Sequence, residues 1–283
     1  MPHINTLVSD IYAVLEGKGG WDSAITEFLS TSIAQVAEDR FKEEQKPRDY
    51  LGLSSIGTPC DRKLWYKINA SDQGEPLRAE DLGNFFFGDL IEAFVLSLAK
   101  AAGHDVQGEQ DRLDVHGIKG HRDAVIDGVT VDVKSSSKFG FQKFAKHQLR
   151  EDDPFGYISQ LSSYVYAGKD DPLVTNKTEG AFLVCQKDRF KLCLDVYDFT
   201  EELEKKEEEI ERVKALVAGD LPEDRIPPVP QSQTSPNTKL QMQCSYCEFK
   251  NVCYPEARKF LYSTGPVWLV DVEKEPNVLE VIE

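Results

Sequence analysis

Apolar residues recur at helical spacing through residues 5–45, with Trp21, Ile25, Phe28 and Leu29 on one face, and the spacing predicts a helical start. Residues 84–102 predict a second, strongly apolar helix that Gly103 stops in the usual C-terminal position. The period then falls to two, predicting strands near 105–115, 118–126 and 129–135. A helix over 154–167 and a hairpin over 180–199 follow. Residues 201–217 read as a charged helix with Thr200 as its N-cap, an acidic first turn and Gly219 as its stop. Its apolar stripe (Leu203, Ile210, Val213, Val217) is narrow, so one face packs and the rest is solvated. Five prolines between residues 219 and 243 predict an extended, semi-rigid connector. A short β-like stretch, 267–272, lies near the end. This succession predicts an α/β or α+β fold with helices flanking a mixed sheet.

Three segments follow from the pattern. Residues 1–82 are an N-terminal helical region, 83–199 a core, and 200–283 the charged helix, connector, cysteine cluster and tail, forming one compact unit with the core. A length of 283 residues suits one large domain or two small ones, and 40% hydrophobic content is enough for a core. No apolar run approaches the length of a membrane span, and the first residues lack the basic and apolar regions of a signal peptide. A cytoplasmic protein with no membrane partner is expected. Six cysteines are too sparse for a disulfide scaffold and read as metal ligands or buried thiols. Cys185 and Cys193 lie in strand-like apolar surroundings and read as core thiols.

The net charge of −16 argues against a protein that coats nucleic acid nonspecifically. It leaves room for a local basic groove. Residues 133–150 contain no acid, but do contain Lys134, Lys138, Lys143, Lys146 and Arg150, interleaved with Phe139, Phe141 and Phe144. Such a segment suits phosphate contacts with base stacking; the alternative is a solvated amphipathic stretch whose phenylalanines are core.

The sharpest chemistry is in residues 120–134. Asp127-Gly128 between two β-branched runs is a strong hairpin signal, because a type I′ turn needs positive φ at both central residues. If these are the loop residues, Ile126 faces Val129, Asp123 lies opposite Asp132, and His121 lies opposite Lys134. All four would then share one face. Opposed like charges destabilise a sheet, and a divalent cation held by both carboxylates would offset that cost. Glu92, in the apolar helix, is either in a surface stripe with Asp89 or a further carboxylate ligand. Lys134 is either a simple ion-pair partner or a group that orients or deprotonates water and stabilises phosphate charge. Tyr157, Gln160 and Tyr164 share a helical face that either packs as a polar stripe or contacts phosphate. Cys244, Cys247 and Cys253 form a C-x2-C-x5-C cluster with Cys60 as candidate fourth ligand, and zinc is one metal this spacing suits.

Together these residues resemble the PD-(D/E)XK nuclease superfamily, and in particular its RecB-like exonuclease branch. That pattern runs from a helical acid or histidine to G-x-x-D, (D/E)-x-K and Q-x3-Y. The matches are Glu92, Gly120 with Asp123, Asp132 with Lys134, and Gln160 with Tyr164. Glu92 departs from the histidine common in this branch, with Asp89 a weaker candidate for the position. Cys60, Cys244, Cys247 and Cys253 resemble the one-plus-three order of the AddB-type and CRISPR-adaptation nucleases, which hold a [4Fe-4S] cluster. The resemblance covers roughly residues 50–255. It implies a restriction-endonuclease-like mixed sheet flanked by helices, with an iron–sulfur-bound C-terminal arm. It also implies DNA as partner and phosphodiester hydrolysis by an exonuclease of recombination, repair or phage DNA processing. Glu92, Asp123, Asp132 and the Val133 carbonyl would hold Mg²⁺ or Mn²⁺, with Lys134, Gln160 and Tyr164 as further catalytic groups. Lys138, Lys143, Lys146 and Arg150 would bind DNA. Alternatives are a structure-selective or nicking endonuclease, a catalytically silent DNA-binding adaptor, and structural Zn²⁺ in place of iron–sulfur.

Overall fold

The computed structural model describes residues 2–42 and 50–282. They gather into two compact units, each built from separated stretches of chain. The first takes the described residues of Met1–Lys46, Tyr50–Gly57 and Arg78–Arg212, and the second those of Thr58–Leu77 and Val213–Glu283.

A five-stranded sheet organises the first unit, in the order Val106–Gln107, Ala124–Ile126, Val129–Ser136, Glu179–Gln186 and Lys191–Asp198. Only the pair Val129–Ser136 and Glu179–Gln186 is parallel; the other neighbours are antiparallel, so the sheet is mixed. Joining parallel strands requires a long crossover, and the helices Lys138–Ala145 and Tyr157–Ala167 lie within it. Side chains alternate across the sheet. Val129, Val131, Val133, Ala181 and Leu183 pack with Leu7 and Ile11 of helix Leu7–Ala13 and with Ile91, Val95 and Leu98 of helix Ala79–Ala101. Phe182, Val184 and Tyr197 pack on the other face with Phe141, Phe144, Leu161 and Val165 from the two crossover helices. The result is a sheet between two helical layers.

The predicted elements are recovered with changed boundaries. Residues 5–42 divide into Leu7–Ala13 and Ser23–Phe41 across a turn in which Gly17 has φ 81°. Asp22 caps the longer helix by accepting the Ile25 N–H at 2.9 Å; residues 43–45 lie outside the described residues. Helix Ala79–Ala101 is, by length and composition, apolar enough to cross a bilayer, contrary to the sequence expectation. A core helix facing a sheet has the same composition, and here its C-terminal half supplies much of the core.

The hairpin forms its predicted turn, with Asp127 at φ 51° and Gly128 at φ 79°, and Ile126 faces Val129. The predicted register stops after Ala124–Val131. At that point the chain changes partners: Arg122 N–H donates to the Asp111 carbonyl and the Asp123 carbonyl accepts from Gln110 N–H. His121 pairs with Arg112 in a separate two-stranded ribbon, not with Lys134. Expected strand 118–126 is therefore two strands, Ile118–His121 and Ala124–Ile126.

In the second unit the tail forms more structure than its sequence predicts. Five short antiparallel strands run in the order Leu279–Val281, Arg258–Tyr262, Gly265–Leu269, Thr238–Lys239 and Val229–Pro230. Two of these strands lie in the proline-rich connector. Helix Asp61–Asn69 contributes Tyr66, stacked on Phe249 at 5.3 Å between ring centroids.

The Gly128 carbonyl accepts the N–H groups of Thr175 and Asn176, both at 3.0 Å, and a Cβ at Gly128 would lie 2.0 Å from Thr175 Oγ1. Gly128→Ala should therefore cost at least about 1–2 kcal/mol from the left-handed backbone alone. The expected result is a lower urea midpoint with an unchanged m-value.

Candidate active site

Strand Val129–Ser136 places Asp132 and Lys134 on the face covered by helix Tyr157–Ala167. Lys134 Nζ lies 2.6 Å from Asp132 Oδ2 and 5.4 Å from the Tyr157 ring centroid. Asp132 Oδ2 is buried and has no well-aligned hydrogen bond despite that close ammonium. Asp123 stands at the point where the chain leaves the ladder, and its Oδ2 accepts the Val133 N–H at 2.7 Å. The predicted opposition of Asp123 and Asp132 thus becomes a side-chain cap on the neighbouring strand, which still leaves the two carboxylates electrostatically coupled.

Glu92 enters from helix Ala79–Ala101. Its neighbour Asp89 is engaged elsewhere, paired with Arg40 at 2.7 Å, which leaves Glu92 as this helix's carboxylate near Asp132 and Asp123. Glu92 Oε1 accepts from Gln110 Nε2 at 2.7 Å. A Cβ on Gly88, one turn earlier, would lie 3.3 Å from Ser135 Oγ, so helix and strand run close together here.

Desolvation lifts the Glu92 carboxyl to about 7, and the Asp132 and Asp89 charges add to the lift against the Gln110 hydrogen bond. Desolvation, then Glu92 and Asp132, push the Asp123 carboxyl well above the usual carboxylate range. Burial alone would lower the Lys134 ammonium, but Asp132 and Asp123 outweigh it and the net shift is upward. Burial, then Asp132 and Asp123, raise the Tyr164 phenol to about 12, while its hydrogen bond with Gln160 opposes the rise. Three carboxylates, a firmly protonated lysine and the Gln160–Tyr164 pair thus share one electrostatic environment.

Glu92 and Asp123 are held by protein donors, and Asp132 lies against the Lys134 ammonium. Among the described residues, no three acidic, histidine or cysteine side chains close on one point as a preformed metal cage. In the second unit, Cys60, Cys244, Cys247 and Cys253 line one small cavity together with Tyr66 and Phe249. Burial pushes the Cys60 thiol up; burial and the neighbouring cysteines push Cys244 to about 12, and burial takes Cys247 to about 11. Cys185 is buried on one face of the sheet, and Cys193 is partly buried on the other.

The basic segment divides. Phe141 and Phe144 are core, whereas Phe139 is 80% exposed. Lys143 pairs with Asp152 at 2.6 Å, and Arg150 pairs with Glu202. Lys138 and Lys146 are exposed.

Sequence reading missed three supporting residues. Gln110 has no local signal, because its partner is 18 residues away. Arg122 is 1% exposed and lies 2.7 Å from both Asp111 and Asp171, and its polar neighbours His121 and Asp123 gave no sign of that burial. Lys206 is equally buried, 3.4 Å from the Ser159 carbonyl and from Ser163 Oγ, and so braces the helix that carries Gln160 and Tyr164.

A model of the PD-(D/E)XK nuclease superfamily matches residues 21–254. No curated protein is significantly similar to the chain. Among solved structures, one described as "Crystal structure of SSO0001" is similar at 17% identity and a TM-score of 0.37, covering 81% of this chain and 96% of that chain.

A carboxyl raised in the folded state stabilises the fold below its unfolded value and loses that contribution as pH rises through the folded value. For Glu92, raised from 4.5 to about 7, this corresponds to roughly 3 kcal/mol in metal-free protein. Melts in EDTA should fall more steeply with pH across this window for the parent than for Glu92→Gln. Parallel pH slopes would show that Glu92 carries no such burden.

Proposed function

The chain belongs to the PD-(D/E)XK nuclease superfamily, and we propose that it is a metal-dependent DNA exonuclease hydrolysing phosphodiester bonds in DNA recombination, repair or phage DNA processing. The observation that carries this reading is the crowding of Glu92, Asp123 and Asp132 beside Lys134 in a desolvated setting. Such crowding of like charges is costly without a cation, and an all-oxygen donor set suits a hard divalent ion.

Glu92, Asp123, Asp132 and the Val133 carbonyl would hold one or two Mg²⁺ or Mn²⁺ ions, which would polarise the scissile phosphate and lower the pKa of the attacking water. Lys134 keeps its proton, because two carboxylates stabilise its charge. It would orient the attacking water and stabilise the charge developing on the phosphate. Gln160, tied to Tyr164, presents its remaining amide hydrogen to phosphate. Lys138 and Lys146 supply the exposed cationic path, and Phe139 the exposed ring on which a base can stack. Lys143 and Arg150 shape that path through their acidic partners.

Cys60, Cys244, Cys247 and Cys253 would hold a [4Fe-4S] cluster. The donor set supports this: four cysteines line one cavity, and burial raises the Cys60, Cys244 and Cys247 thiols, so ligation to a cation is what would keep those three deprotonated. The cluster's role would be structural, joining the Thr58–Leu77 stretch to the C-terminal stretch within the second unit. On this reading the protein works in the cytoplasm of a bacterial or phage-infected cell.

On end-labelled linear DNA with Mg²⁺ or Mn²⁺, Asp132→Ala and Lys134→Ala should each lower cleavage by at least about 100-fold. Unchanged cleavage by both variants removes the site, and equal cleavage of closed circular DNA removes the exonuclease mode. Protein purified without oxygen should be brown and carry iron and sulfide. A colourless protein with stoichiometric zinc overturns the cluster.

A further inference from the structure

Gln110 lies outside every motif of the site, yet its side chain is the protein donor to Glu92. Three features show that this contact is built rather than incidental. First, Gln110 has φ 56°, a left-handed conformation uncommon for a residue with a side chain. Such a conformation persists only where surrounding contacts impose it. Second, those contacts are present on both sides. Gln110 N–H donates to the Asp123 carbonyl, and Asp111 N–H donates to the Gly108 carbonyl. Arg122, nearly fully buried, bonds the Gly108 carbonyl and the Asp111 carboxylate. Gly108 is itself left-handed, and a Cβ there would lie 2.4 Å from Arg122 Nη2. The loop 108–111 is thus clamped to the residue that precedes Asp123.

Third, the chemistry of the contact is selective. The amide nitrogen of Gln110 faces the carboxyl and donates to its Oε1, the group a cation would use from its other side. One short loop therefore fixes two carboxylates together, Asp123 through the main chain and Glu92 through the Gln110 amide.

We propose that Gln110 is a positioning residue of the metal site, holding the Glu92 carboxylate in place through its carboxamide. This rests on the reading of Glu92, Asp123 and Asp132 as metal ligands. Residues that orient metal ligands from behind typically contribute about 10- to 100-fold in metal affinity.

The test is Mn²⁺ binding to purified protein, measured by calorimetry or by the loss of the free-ion EPR signal. Gln110→Gly removes the amide while relieving the left-handed backbone, so its melting temperature should be equal to or above the parent's. Its Mn²⁺ affinity should nevertheless fall about 10-fold. In a Glu92→Ala background the same change should have less than about a twofold effect, because the partner is gone. Parental Mn²⁺ affinity in Gln110→Gly, with binding lost in Asp132→Ala, overturns the role of Gln110 alone. Parental affinity in Asp132→Ala overturns the metal site and this inference with it. Additive losses in the Glu92→Ala background show that Gln110 acts elsewhere and also overturn it.

Discussion

The carboxylate of Asp123 takes the main-chain N–H of Val133, and the rest of the site depends on that bond. It forms where strand Ala124–Ile126 gives way to the Arg122–Asp123 crossing and the sheet ladder can no longer supply a partner. The side chain stands in for a missing backbone carbonyl. Consequently an acidic group is fixed beside Asp132 in a place where water is scarce. A single rung of the ladder is exchanged for a buried carboxyl group, and the surrounding residues are arranged around it.

That arrangement is a set of donors drawn from distant parts of the chain. Lys134 answers Asp132, Gln110 answers Glu92, and Val133 answers Asp123. Behind them stand two nearly fully buried cations. Arg122 ties Asp111 to Asp171, fixing the loop that carries Gln110. Lys206 bonds the helix carrying Gln160 and Tyr164. Buried charges of this kind are costly when a partner is removed, so they restrict the loop and the helix to one arrangement. Precision at the carboxylates thus has a cause several contacts removed from them.

The second unit follows a different logic. Its strands are short, and its core clusters are small groups around Tyr66, Phe249, Leu240 and Tyr254. Cys247 and Cys244 lie within those clusters, and Lys63, beside them, pairs with Glu248 at 3.2 Å. Where apolar area is limited, a cross-link between separated stretches of chain offsets the entropy of ordering them.

The sequence by itself determined what short-range physics controls. The helical and strand periods fixed most elements, and Asp127-Gly128 fixed a type I′ turn because only certain residues tolerate positive φ. The spacing of Asp123, Asp132, Lys134, Gln160 and Tyr164 pointed to the PD-(D/E)XK superfamily, and membership of that superfamily is what the match over residues 21–254 bears out. Pattern alone could not say where the ladder would end, because that depends on what the loop 108–111 offers in its place. It assigned His121 to Lys134, whereas the fold gives it to Arg112. It left Glu92 and Asp89 as competing ligands; Arg40, 49 residues away, takes Asp89. It grouped five cations and three phenylalanines that burial and ion pairing then separated. Local steric and periodic rules act over a few residues and are written in the order of the chain. Partner choice among charges depends on distance through the folded molecule, and only the tertiary structure decides it.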